Sequence, residues 1–315
     1  MNLKTVRSAI DNPPAPTHLS RPANLLRPLA RSLRRSANSL WHLASPLWHL
    51  TSSLWHLSSL DAPTVAVVWS LAFARAASVR LPLWVPVLLA CGTWAVYIAD
   101  RLLDARSALA TGNTRGLRPR HFFHWRHRRV FVPMAVAAAT VAAAIIFTLM
   151  PAGIRERNSV LAAAALVYFS GVHLPRRPRW LLPILSKELL VGILFAAGCA
   201  LPTLTRLHLE TAPRFAFFAA VAFFAAIAWL NCHAIDRWES ACSAGPAASL
   251  LAVAGLLLAF VCIPLNLRCS ALFAAGSASA LLLAILNRRR NHLAPLTLRA
   301  TADLVLLTPL VLFFK

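Results

Sequence analysis

Asp100 and Asp104 close a long apolar run, WAVYIADRLLDAR (Trp94 to Arg106), whose last seven residues hold two carboxylates and two arginines, Arg101 and Arg106. Four positions apart on a helix, the two acids share a face, about 5 to 6 Å apart at their Cβ atoms. Carboxylates at that spacing repel unless a cation lies between them. The neighbouring arginines can supply it, and so can a magnesium ion that bridges the acids to a phosphate-bearing substrate. A second acidic end occurs in AWLNCHAIDRWES, where Asp236 and Glu239 are three apart, with His233 one turn earlier and Asn231 upstream. On its own this cluster also reads as a hydrated helix end. It gains meaning if it faces the first pair across one membrane surface.

Three further constellations carry charge. Lys187 and Glu188 lie in PILSKELLVGILFAAGCALP, where a lysine is costly without a partner. Glu188 or a bound anion can be that partner, and Gly192 and Gly198 downstream are expected to let neighbouring helices come close. The stretch RHFFHWRHRR, Arg120 to Arg129, interleaves four arginines and three histidines with Phe122, Phe123 and Trp125. It suits a diphosphate or anionic headgroups, and equally the retention of basic loops on one membrane side. Arg299 and Asp303, four apart, are expected to pair with each other.

The elements that must position these groups are membrane helices. The chain has 315 residues, 58% hydrophobic and 13% charged, with a mean hydropathy of +0.63. Its apolar residues fall in blocks of bilayer length, which predicts an all-α, polytopic bundle of nine spans: 62–79, 82–103, 130–150, 158–174, 181–202, 213–232, 246–266, 270–287 and 298–314. The formal charge of +22 lies between these blocks rather than along one soluble face, which argues against a nucleic-acid partner. The six cysteines form no CxxC pair and are expected to be reduced packing residues.

Alternate connections hold 23 of the 32 lysines and arginines, against 7 on the other set, with Arg75 and Lys187 inside spans. That bias predicts a cytoplasmic N-terminus and brings both acidic helix ends to the inner face. Residues 1–61 form a basic, low-complexity tail ahead of a membrane domain, 62–315. The tail carries the tandem heptad SLWHLAS PLWHLTS SLWHLSS. Seven residues of helix rise about 10.5 Å, so His42, His49 and His56 cannot meet on one ion. The repeat reads either as an interfacial helix or as a tail without special function.

Nine spans, with acids ending the second and sixth and a lysine in the fifth, resemble the UbiA-type membrane prenyltransferase superfamily from about residue 62 onward. VYIADRLLD, Val96 to Asp104, keeps the last two acids of that family's NDxxDxxxD motif, with Val96 and Tyr97 at the first two positions; NCHAIDRWE keeps Asp236 and Glu239 of the second. The resemblance implies a helical bundle in which Asp100, Asp104, Asp236 and Glu239 hold Mg2+. It further implies that Lys187 steadies an isoprenyl diphosphate, that Tyr97, Arg101, Arg106, Asn231, Arg126 and Arg128 contact substrate, and that the prenyl group passes to an aromatic or other small acceptor in quinone or related lipid synthesis. A bacterial inner membrane is the expected location. A transporter that uses the same acids, or a non-catalytic polyprenyl-binding relative, is the competing expectation.

Overall fold

The computed structural model describes residues 54–112, 119–173, 187–207 and 211–314. Their regular elements are all helical: α1 (Asp61–Ala76), α2 (Trp84–Thr111), α3 (Pro119–Arg126), α4 (Arg128–Thr148), α5 (Ala152–His173), α6 (Lys187–Leu204), α7 (Thr211–Glu239), α8 (Ala247–Cys262), α9 (Leu267–Arg289) and α10 (Pro295–Leu304), which runs into a 3-10 helix, Val305–Leu312. A short helical turn at 54–57 precedes α1.

Among the described residues each expected apolar block overlaps a helix, and six stretches are long and apolar enough to cross a bilayer: 84–110, 128–148, 187–204, 214–239, 267–292 and 295–312. The helices α1 and α8 have 16 residues each, and α5 carries Arg155, Glu156 and Arg157 near its start. These three fall short of the length or apolarity of the others. Large apolar side chains, among them Phe147, Val160, Phe215, Leu250 and Phe260, are exposed on the bundle's outside. A contiguous surface of this kind is unfavourable in water and suits a lipid surround, where helices satisfy their own backbone groups.

The centre is aromatic and tightly packed. α1 packs against α2, α6 and the 3-10 helix, while α7 packs against α6 and α9. Trp69 is fully buried and stacks on Phe224 with ring centroids 3.8 Å apart, and its Nε1 donates to the Leu306 carbonyl at 2.8 Å. The chain end is thereby fastened to α1. Glycine makes the closest approach possible: a Cβ at Gly192 of α6 would stand 2.8 Å from the Trp229 nitrogen and 2.9 Å from the Ala225 oxygen of α7. Gly198 has open space around it, so only Gly192 does what was expected of both.

Three helical segments end in the same way. Ser59, Ser78 and Ala241 adopt φ of 58°, 57° and 57°, and each is followed by a residue whose N–H reaches back five positions: Leu60 to Trp55, Val79 to Ala74 and Cys242 to Arg237. This is the Schellman cap, at a position where glycine is usual and an L side chain costs roughly 1 kcal/mol. All six cysteines are free thiols.

Candidate functional site

One pole of the bundle collects the polar side chains. The turn before α1 brings the third heptad of the tail into the interior. There His56 is fully buried, and its Nδ1 lies 2.9 Å from Asp61 Oδ2 and 3.3 Å from Asp303 Oδ2. These are charge contacts whose angles fall short of directed hydrogen bonds, and the ring's Nε2 has no hydrogen-bond partner. Asp303 Oδ1 accepts from Asn231 Nδ2 of α7 at 2.9 Å, and Asp61 Oδ1 accepts from the Ala62 nitrogen at 2.9 Å. Burial disfavours charge on His56, but the Asp303 and Asp61 carboxylates outweigh it and raise the pKa above 6.5. His42 and His49 lie outside the described residues.

The grouping of His56, Asp61 and Asp303 has metal-ligand spacing, its ligand atoms lying within 4.8 Å of one another. Charge balance does not demand a metal there. Arg101 acts on Asp61, so a protonated His56 and Arg101 together offset both carboxylates.

Beside this cluster lies a strongly positive patch. Arg101 on α2 is almost completely buried, stands over the Tyr97 ring at 5.2 Å and donates from Nε to Ser59 Oγ at 2.8 Å. Ser59 Oγ lies 3.4 Å from His124 Nε2, and His124 Nδ1 lies 2.7 Å from the Arg120 carbonyl. The direction of this chain follows from its ends. A carbonyl can only accept, so Nδ1 carries the proton; Nε2 then accepts from the Ser59 hydroxyl, which accepts from Arg101. The chain requires a neutral His124. Burial, with the charges of Arg101 and Arg120 added, holds its pKa down to about 4 against the favourable backbone contact. Burial and then Arg120, Arg101 and Arg299 push His121 down to about 3. Among the charges acting on Arg101, the opposing one of Arg120 stands first. The charges of Arg101 and Arg120, from different elements, thus oppose each other, with two imidazoles held neutral alongside.

The expected site residues divide between this pole and the surface. Asp104 Oδ2 lies 3.8 Å from His121 Nε2, and Asp100 acts on Arg101. Glu239 is ion-paired with Arg299, whose charge also reaches His121. Asp236, Arg106, Arg126, Arg128 and Lys187 are exposed. Arg128 turns back onto Trp125, 4.8 Å over the ring, and donates to the Trp125 carbonyl at 3.0 Å. Lys187 is the first described residue of α6, and its charge, with those of Glu188, Arg120 and Asp303, acts on Cys232.

Arg299 and Asp303 do not form the expected mutual pair. Arg299 serves Glu239, and Asp303 serves His56 and Asn231, because partners from other elements displace the local i, i+4 contact. Sequence reasoning assigned His56, Ser59 and Asp61 to the tail or to a span edge and gave them no role at the site. The available signal was the abutment of a Trp- and His-bearing heptad on Asp61 at the first apolar block. No protein-family model, curated protein or solved structure matches this chain.

Proposed function

We propose that the chain transfers a prenyl group from an isoprenyl diphosphate to an aromatic or other small acceptor within the membrane, as members of the UbiA-type superfamily do. The observation that carries this reading is the gathering of basic groups beside α2: buried Arg101 is linked through the Ser59 hydroxyl to His124 of α3, the helix that bears Arg120, whose charge opposes that of Arg101. Asp61 and Asp100 offset part of the Arg101 charge, and a multiply charged phosphate would add a counter-charge for Arg101 and Arg120 together. The acids fit magnesium by donor type. Asp100 and Asp104 are the nearest to the arginines in sequence and Asp236 is exposed, while Glu239 joins only by releasing Arg299.

In this reading Arg101 and Arg120 hold diphosphate oxygens and Lys187 adds a third cation. Magnesium, when bound, neutralises charge on the departing diphosphate. The allylic C–O bond breaks with its electron pair leaving on the diphosphate, a nucleophilic atom of the acceptor bonds to the allylic carbon, and the acceptor's displaced proton goes to solvent or a nearby base. Tyr97 and Asn231 border the acceptor side, and the apolar helices keep water from the cation. In this reading the pole faces the cytoplasm of a bacterial inner membrane, an orientation that the bias of basic residues supports.

The test is to incubate the protein in membranes with labelled isoprenyl diphosphates, phenolic acceptors and magnesium, beside Asp100→Asn and Asp236→Asn. Magnesium-dependent product that disappears in both variants supports the reading; equal behaviour of all three proteins across a broad substrate panel rejects it. A second reading, proton-coupled transport, draws on the buried His56, Asp61 and Asp303 grouping. It predicts proton flux in liposomes that Asp303→Asn abolishes.

A further inference from the structure

We infer that Ser59, at the end of the third tail heptad, is a positioning residue that aims Arg101 and the α3 arginine helix at a shared phosphate-bearing ligand. The inference rests on the anion site proposed above and assigns part of its assembly to a segment upstream of the first expected span.

Three observations meet at this residue. Ser59 is fully buried and holds φ of 58°, a conformation disfavoured for an L side chain. Its position is fixed from both sides: the Ser59 nitrogen donates to the His56 carbonyl at 3.1 Å and the Leu60 nitrogen to the Trp55 carbonyl at 3.1 Å. The heptad is in turn pinned to its neighbours. His56 sits between Asp61 and Asp303, Trp55 Nε1 donates to Thr64 Oγ1 at 3.3 Å, and the Ser58 carbonyl accepts from Trp94 Nε1 at 2.9 Å.

From this anchored point the hydroxyl makes two different bonds. It accepts from Arg101 Nε at 2.8 Å and faces His124 Nε2 at 3.4 Å. Using Nε for Ser59 restrains the guanidinium while its two terminal nitrogens remain as further donors, and the end they form is suited to a fork of phosphate oxygens. The His124 branch ties α3, which bears Arg120, to the same hydroxyl. One side chain therefore sets the relation between two mutually repelling cations. Helix termination does not require serine here, since glycine adopts this φ without strain and alanine holds the same cap at 241; what serine adds is the hydroxyl.

The experiment separates positioning from folding. Inorganic pyrophosphate, with and without magnesium, is titrated into the purified full chain by calorimetry for the wild type, Ser59→Gly, Ser59→Asn and Arg101→Gln, alongside thermal melts of each. Ser59→Gly removes the hydroxyl and relieves the backbone, so its melting temperature stays level or rises while pyrophosphate affinity falls about tenfold, or ~1.4 kcal/mol. Ser59→Asn tolerates the left-handed backbone and offers an amide oxygen to Arg101, so affinity returns toward wild type. Wild-type affinity in Ser59→Gly overturns the positioning role, as does a loss in Ser59→Asn equal to that in Ser59→Gly. If the wild type and Arg101→Gln both fail to bind pyrophosphate, the anion site itself is rejected, and the role of Ser59 with it.

Discussion

Gly192→Ala, set against Gly198→Ala on the same helix, tests how the α6–α7 pair that frames the polar pole is held together. Alanine is favoured over glycine in a helix interior by about 1 kcal/mol, and at Gly198, with nothing within 4 Å, that gain is realised. At Gly192 the new methyl would meet the Trp229 nitrogen at 2.8 Å and the Ala225 oxygen at 2.9 Å, against an ordinary contact limit of 3.4 Å. The shortfall is about half an ångström, and it lies against backbone, which cannot rotate aside as a side chain can. The helices must part along their contact, and overpacking of this kind costs about 1 to 3 kcal/mol before the alanine gain is subtracted. The two variants are thus expected to differ by about 2 kcal/mol, roughly 3 °C in Tm for a chain of this size. Thermal unfolding in detergent, followed by intrinsic tryptophan fluorescence, reads this directly. Equal melting of the two variants refutes the close helix contact.

Other outcomes follow from single contacts. Asn287 accepts from Trp238 Nε1 at 2.9 Å and the Ala244 nitrogen at 3.1 Å and donates to Ser243 Oγ at 3.1 Å. Asn287→Leu leaves these groups without their partner and is expected to lower stability by about 2 to 4 kcal/mol in denaturant melts. Ala241→Gly removes the strain of φ 57° and is expected to stabilise by about 1 kcal/mol; a lower Tm contradicts the cap assignment. For pH, despite burial the Asp303 and Asp61 carboxylates hold the folded pKa of His56 above the ordinary 6.5, so its contribution is full below 6.5 and is lost as pH rises through the folded value. His124 and His121 act oppositely. With folded values of about 4 and about 3, their contribution is full above 6.5 and is lost as pH falls toward those values. Stability therefore peaks near neutrality, and His56→Gln flattens the alkaline limb alone when melts are recorded across pH.

Element existence was legible from the chain because apolarity in long blocks leaves helices as the only self-satisfying backbone. Element ends were less so. The second block, expected to stop at residue 103, runs to Thr111, since Asp100, Arg101 and Asp104 are compatible with helix and mark where polarity begins rather than where the helix stops. The last block divides into α10 and a 3-10 helix containing Pro309, a residue that removes a backbone donor. At the site, Arg101 and Asn231 could be singled out because polar groups on apolar helices stand out locally. The pairings could not be read. Arg299 and Asp303 satisfy a local spacing rule that three-dimensional partners override, and nothing in three near-identical heptads tells which histidine docks. Among the described residues it is His56, in the copy abutting Asp61, that meets that acid, a matter of chain geometry rather than of composition.

The most direct measurement of the central claim is the release of pyrophosphate from an isoprenyl diphosphate by the wild type, Arg101→Gln and Arg120→Gln, in membranes with magnesium and a phenolic acceptor. The account predicts release that depends on both metal and acceptor and that falls at least tenfold in each arginine variant, with the melting temperature held in Arg120→Gln. Release undiminished in both variants, or a melting temperature that drops in both with no change in turnover, contradicts it.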